Sequence, residues 1–130
     1  MICFAEYVLV VSLFNVFPLP QKSGFRKSFA FAGEAMDRGY SVLVFPEGAR
    51  TQDGEMKQFM EGIGLLVKNL GAPVVPARID GLYELKNARR RFARPGEITV
   101  TLDAPVRFSA DSEPASITNR LEKRVASLGR

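Results

Sequence analysis

The chain has 130 residues, enough for one domain that buries roughly two-thirds of its unfolded surface. With 46% hydrophobic and 25% charged residues it is neither a disordered chain nor a low-complexity one, and its net charge of +4 favours anionic partners. It has one cysteine and no histidine, which excludes an internal disulfide and a Cys/His zinc site.

The first twenty residues, Met1 to Pro20, are strongly apolar. They lack a basic leader, carry Glu6, and are interrupted by Asn15 and Pro18, so they read as a core segment rather than a signal peptide or a membrane span. A shallow membrane-facing role stays open. Tyr7 to Phe17 is either a buried strand or a helix end that turns into one. Pro18-Leu19-Pro20 stops it. Cys3 has no imidazole to activate it and is not expected to act as a nucleophile.

Ser23 is placed to cap a helix whose apolar face is Phe25, Phe29, Ala32 and Met36, with Gly39 as its stop. Ser41 to Phe45 then reads as a short strand of the kind buried in parallel sheets. It runs into Phe45-Pro46-Glu47-Gly48-Ala49-Arg50-Thr51. A strand ending in Pro-Glu-Gly and presenting an arginine suits an anion at the sheet's edge. The same residues also make an ordinary turn in which Glu47 and Arg50 pair on the surface.

Asp53-Gly54 is a turn signal. A second amphipathic helix is expected from Lys57 to Leu70, with Phe59, Ile63, Leu66 and Leu70 on one face and Gly71 ending it. A strand follows over Pro73 to Ile79. Lys86, Arg89, Arg90, Arg91 and Arg94 concentrate the basic excess, as a solvated face or as a contact for phosphates. Only Tyr83 and Phe92 are aromatic there, so a single-strand nucleic-acid platform is not expected. Glu97 to Leu102 alternates Ile98, Val100 and Leu102 against Thr99 and Thr101, a half-buried strand. The last helix is expected from Asp111 or Ser112, with Pro114 in its first turn and Ile117, Leu121, Val125 and Leu128 on one face.

Strands alternating with helices predict an α/β fold, a mixed, largely parallel sheet flanked by helices, in one domain spanning 1–130. In such sheets ligands bind beyond the carboxyl ends of the strands, where Phe45 to Gly48 would sit.

The turn resembles the Phe-Pro-Glu-Gly-Thr-Arg-Ser block of the glycerolipid and lysophospholipid acyltransferases, the family that includes 1-acylglycerol-3-phosphate acyltransferases. Val74-Val75-Pro76-Ala77-Arg78-Ile79 is similar to the family's Val-Pro-Val block. The likeness runs from about Leu13 to Phe108. It implies transfer of a fatty acyl group from acyl-CoA or acyl carrier protein to the hydroxyl of glycerol 3-phosphate or a lysophospholipid, with no cofactor beyond the acyl donor. It implies that Arg50 binds the acceptor's phosphate, that Glu47 shapes the acceptor site by bonding the hydroxyl or fixing Arg50, that Gly48 permits close backbone approach or a positive φ, and that Pro76 shapes the pocket wall.

The chain departs from the family pattern in three places. Ala49 stands where a threonine is usual, a hydroxyl for which Thr51 could partly substitute. The Gly-rich strand ending in arginine, expected near Phe17 to Gln21, is not there, leaving Lys22 or Arg26 as stand-ins. The His-x4-Asp motif that supplies the general base is absent, so no catalytic residue is assigned. The expectation is therefore an incomplete acyltransferase-type domain, its N-terminal portion missing, inactive alone, and peripheral on the cytoplasmic side of a membrane with anionic lipid as a partner. The competing readings are a non-catalytic phosphate- or anionic-lipid-binding module and a non-functional incomplete fold.

Overall fold

The computed structural model describes residues 25–85 and 95–129. The chain divides into two compact units, Met1–Val42 and Leu43–Arg130. The apolar run from Met1 to Pro20, Cys3, Lys22, the expected helix cap Ser23 and the basic cluster from Lys86 to Arg94 lie outside the described residues.

In the first unit, helix α1 spans Phe25–Asp37. Ser28 and Ala32, one turn apart, are its buried positions, and Phe31 is exposed. The expected face thus holds at Ala32, with Ser28 taking the place beside it. The exit matches the expected stop: Gly39 N–H donates to the Met36 carbonyl at 2.8 Å and Tyr40 N–H to that of Ala35 at 3.0 Å, satisfying carbonyls that the ending helix leaves free.

The segment Ser41 to Phe45 is not a strand. Its exposure alternates, with Leu43 and Phe45 outward, but no described strand pairs with it. Period-2 patterning makes a strand only where a neighbour supplies the ladder.

The second unit is built on two helices. Helix α2 spans Gly62–Leu70, and Gly71 ends it as expected. It starts five residues later than the expected Lys57: tertiary bonds hold residues 57–60 in a non-helical course, Phe59 N–H donating to Glu122 and Met60 N–H to the Pro46 carbonyl. Strand β1, Ala77–Asp80, is followed by the one-turn helix α3, Leu82–Leu85, and by strand β2, Thr99–Leu102. Helix α4 spans Pro114–Ser127. Glu113 before it is extended, as the residue preceding a proline is forced to be.

The core is Phe59, Ile63, Leu66, Val106, Ile117 and Leu121. Ile63, Leu66, Ile117 and Leu121 come from the expected faces of the two helices, Phe59 from the segment just before α2 and Val106 from the segment after β2, while Leu70, Val125 and Leu128 of those faces are half-buried. The helices approach closely at Gly64, where an added Cβ would lie 1.9 Å from the Pro114 carbonyl oxygen. Helix α2 has no side-chain cap of its own at Glu61. The buried Thr118 of α4 serves instead, its Oγ1 accepting Gly64 N–H at 3.0 Å and donating to the Pro114 carbonyl at 3.1 Å.

The expectation of a largely parallel sheet is corrected here. β1 and β2 pair antiparallel, with Ala77 opposite Leu102, Ile79 opposite Val100 and Asp80 opposite Thr99. Val74 and Val106 bridge in the same antiparallel sense. A parallel pair needs a crossover that carries the chain to the opposite end of the sheet; the connection after Asp80 instead returns at Thr99, directly across from where it left. The facing of β2 also differs from the expected one. Val100 and Leu102 are exposed, 58% and 65%, together with Ile79, while Thr99, Thr101, Arg78 and Asp80 are half-buried on the other face. Arg78 Nε and Asp80 Oδ1 pair there at 2.9 Å, which meets the polar groups that this register turns inward.

Candidate functional site

The turn after Phe45 closes when Gly48 N–H donates to the Phe45 carbonyl at 3.3 Å. Gly48 has φ +68°, a left-handed conformation that a side chain disfavours, so the glycine is required by the backbone. Glu47 is half-buried. Its Oε2 accepts the backbone N–H of Lys57 at 2.8 Å, and the Pro46 carbonyl accepts that of Met60 at 2.9 Å. Residues 57–60 thus form a strap laid along the Pro46-Glu47 edge of the turn.

Lys57 also reaches back with its side chain, its Nζ donating to the carbonyl of Arg50 at 2.8 Å. The two bonds tie the loop between Glu47 and Lys57 at its base and near its tip. Arg50 is exposed, and among the described residues its guanidinium joins no ion pair. The surface pair of Glu47 with Arg50 is therefore not what forms. The carboxylate is engaged by a backbone N–H, and the guanidinium is left facing solvent with its fork of donors open to an anion.

The hydroxyl of Thr51 is engaged within its own turn. It donates to Asp53 Oδ1 at 2.8 Å and accepts Gly54 N–H at 2.9 Å. Asp53 also accepts Glu55 N–H at 3.1 Å. The Thr51 hydroxyl, with Glu55 N–H adding to it, holds the Asp53 carboxyl below the ordinary aspartate range. Tyr83 of α3 fastens the same turn, its hydroxyl donating to the Gln52 carbonyl at 3.1 Å.

Pro76 is buried at the start of β1, and its carbonyl accepts Asp103 N–H at 2.9 Å. Among the described residues no hydrogen bond joins it to the 45–51 turn; what the two share is α4. Glu122 Oε2 accepts Phe59 N–H at 2.8 Å, which holds the strap. Arg124 Nη1 pairs with Asp103 Oδ2 at 3.1 Å, which holds the segment bonded to Pro76. Two residues apart on one helix, Glu122 and Arg124 anchor both sequence blocks.

Lys57, Asp103, Glu122 and Arg124 are the positions that sequence reasoning did not single out. One signal was available: Glu122 is the sole acid of α4 and directly follows Leu121 on the apolar line, where an unpaired carboxylate would be costly. Arg26 is exposed on α1 in the first unit. Among the described residues there is no cluster of side chains able to hold a metal ion, and no helix long and apolar enough to cross a membrane.

This mixed helix-and-sheet frame with its Pro-Glu-Gly turn is that of the acyltransferases: the family's sequence model matches residues 9–80, more than half of the chain, and the chain belongs to that family. The match contains the turn and Pro76 and stops before Asp103, Glu122 and Arg124. Among individual proteins, the chain is similar to the 1-acyl-sn-glycerol-3-phosphate acyltransferase of Pseudomonas aeruginosa, 35% identical over 85 residues that make up 65% of this chain and 32% of that protein. It is also similar to the chloroplastic 1-acyl-sn-glycerol-3-phosphate acyltransferase BAT2 of Brassica napus, 30% identical over 74 residues, 56% of this chain and 22% of that one. The crystal structure of the 1-acyl-sn-glycerophosphate acyltransferase PlsC from Thermotoga maritima superimposes with a TM-score of 0.69 at 28% identity, over 76% of this chain and 43% of that one. The chain thus spans about a third or less of the length of these two curated relatives.

Proposed function

We propose that this chain carries the acceptor-phosphate half of a phospholipid or glycerolipid acyltransferase site. The reaction is transfer of a fatty acyl group from acyl-CoA or acyl carrier protein to the hydroxyl of a lysophospholipid or glycerol phosphate. The observation that carries the reading is the solvent-facing guanidinium of Arg50, unpaired among the described residues, on a turn whose acid is engaged elsewhere. A charge-assisted bond from such a group to phosphate contributes on the order of 1.5–3 kcal/mol, with the lower end suited to an exposed arginine. Glu47 supports the site by fixing the loop through Lys57, and Gly48 and Pro76 shape its walls. Thr51 acts here as a loop brace.

Attack on a thioester needs the acceptor hydroxyl deprotonated by a positioned base. The chain contains no histidine, and loss of a general base lowers rate by about 10²–10⁴-fold. Binding is therefore the activity assigned to this chain alone, with acyl transfer requiring a base that it does not supply. With a lipid acceptor, the place proposed for the chain is peripheral, on the cytoplasmic side of a membrane. The same absence of histidine favours the second reading, a phosphate- or anionic-lipid-binding module with no catalytic duty.

The test is flotation with vesicles of phosphatidate in phosphatidylcholine, against phosphatidylcholine alone. Arg50→Gln is expected to weaken the phosphatidate-dependent part about tenfold. Equal flotation of the variant would remove Arg50 from the site. Turnover of acyl-CoA with lysophosphatidate above background would overturn the assignment of binding without catalysis.

A further inference from the structure

We propose that Lys57 is a positioning residue of the phosphate site, setting the backbone of Arg50 so that its guanidinium is presented to a phosphate monoester. The inference rests on the reading of Arg50 given above. Two bonds carry it. The Lys57 backbone N–H is held by Glu47 Oε2 at 2.8 Å, which fixes where the lysine starts. Its ammonium then donates to the Arg50 carbonyl at 2.8 Å, across seven residues of sequence.

Nothing else described restrains that carbonyl. Among the described residues no other hydrogen bond reaches Ala49 or Arg50. Ala49 stands where related turns carry a threonine, so this stretch has no side-chain hydroxyl to brace it. The neighbouring hydroxyl, that of Thr51, is committed to Asp53 and Gly54. Without the clamp, Ala49 and Arg50 have no described bond of their own between the Glu47 base and the turn that Tyr83 fastens at Gln52, and Arg50 must be ordered when the ligand binds. With it, that ordering is done in the free protein.

A lysine so placed could also touch the phosphate directly, and the two roles separate in a double-mutant cycle. In the positioning role the lysine acts only through Arg50. Its removal then weakens binding when Arg50 is present and does nothing when Arg50 is already gone. A direct cation contact would be lost in both backgrounds.

The experiment uses the whole chain, labelled with nitrogen-15, titrated with sn-glycerol 3-phosphate while the Arg50 amide and Nε–H signals are followed. A parallel arm uses phosphatidate vesicles, so that free and lipid-borne phosphate monoesters are distinguished. Lys57→Met keeps the backbone N–H that bonds Glu47 and removes the ammonium. It is expected to weaken binding about three- to tenfold, to shift the free-state Arg50 amide signal, and to leave the thermal midpoint near that of the parent. Lys57→Arg keeps a donor to the carbonyl and is expected to recover most of the affinity. In an Arg50→Gln background, Lys57→Met is expected to change nothing further. Unchanged binding in Lys57→Met, or an equal loss with and without Arg50, overturns the proposal while leaving the Arg50 site standing. Unchanged binding in Arg50→Gln alone overturns the site, and this proposal with it.

Discussion

Glu122 Oε2 accepts the backbone N–H of Phe59 at 2.8 Å, a bond that spans 63 residues of sequence. Phe59 is a core residue within the strap that holds the Pro-Glu-Gly turn, and Glu122 belongs to the helix that packs on α2. The carboxylate satisfies a donor that no helix or sheet ladder reaches, because α2 begins only at Gly62. The C-terminal helix, which lies past the family match, therefore helps set the geometry of the turn inside it.

Truncating that carboxylate leaves the Phe59 N–H without its partner. Glu122→Ala is expected to lower stability by about 1–2 kcal/mol, the range for losing a charge-assisted bond at a half-buried site. Glu122→Gln retains an acceptor oxygen and is expected to lose less than half as much. Urea midpoints measure both. Equal losses in the two variants would show that the charge of the carboxylate, rather than its packing or its acceptor oxygen, is what matters.

Gly64 tests the approach of α2 to α4. Alanine has the better helix propensity by about 1 kcal/mol. Against this, the new Cβ would lie 1.9 Å from the Pro114 carbonyl oxygen and 2.6 Å from Thr118 Oγ1. Both neighbours belong to the α4 contact and one is backbone, so the helices must separate, at about 1–3 kcal/mol and with loss of the Gly64–Thr118 bond as well. Gly64→Ala is expected to be destabilising on balance, seen as a lower thermal midpoint. A midpoint at or above that of the parent would mean that the helices pack more loosely than described.

The Thr51–Asp53 turn has a sign-determined pH response. Its hydrogen bonds favour the charged carboxylate, so the folded chain holds Asp53 below its ordinary range. The stabilisation of the turn is present above the unfolded-state value and is lost as pH falls through the lower folded-state value. A carbon-13 titration of the Asp53 carboxyl is expected to give a midpoint below the ordinary aspartate range. Thr51→Val removes the hydroxyl that donates to the carboxylate and is expected to move that midpoint upward. A midpoint indifferent to Thr51 would assign the shift to the backbone bonds alone.

What could be read directly from the residues was local. Gly48 adopts a positive φ, one of the two roles that the family resemblance implied for it, Gly39 and Gly71 end their helices, and Ile63, Leu66, Ile117 and Leu121 are buried at the spacing that marked them. Each rests on chemistry contained within a few residues: a missing Cβ, or a 3.6-residue period. The acyltransferase likeness is local in the same way, carried by a seven-residue turn, and so is the absence of any imidazole base. Tertiary structure decided the rest. The antiparallel pairing of β1 with β2 and the outward turn of Val100 and Leu102 depend on register between residues 19 to 25 positions apart, which alternation alone leaves open. The partners of Glu47, Arg50 and Phe59 were equally out of reach, because a carboxylate or an ammonium bonds whichever donor or acceptor the fold delivers to it. Packing of α4 against α2 delivers Glu122 to Phe59, and the course of the strap along the turn delivers Lys57 to Glu47.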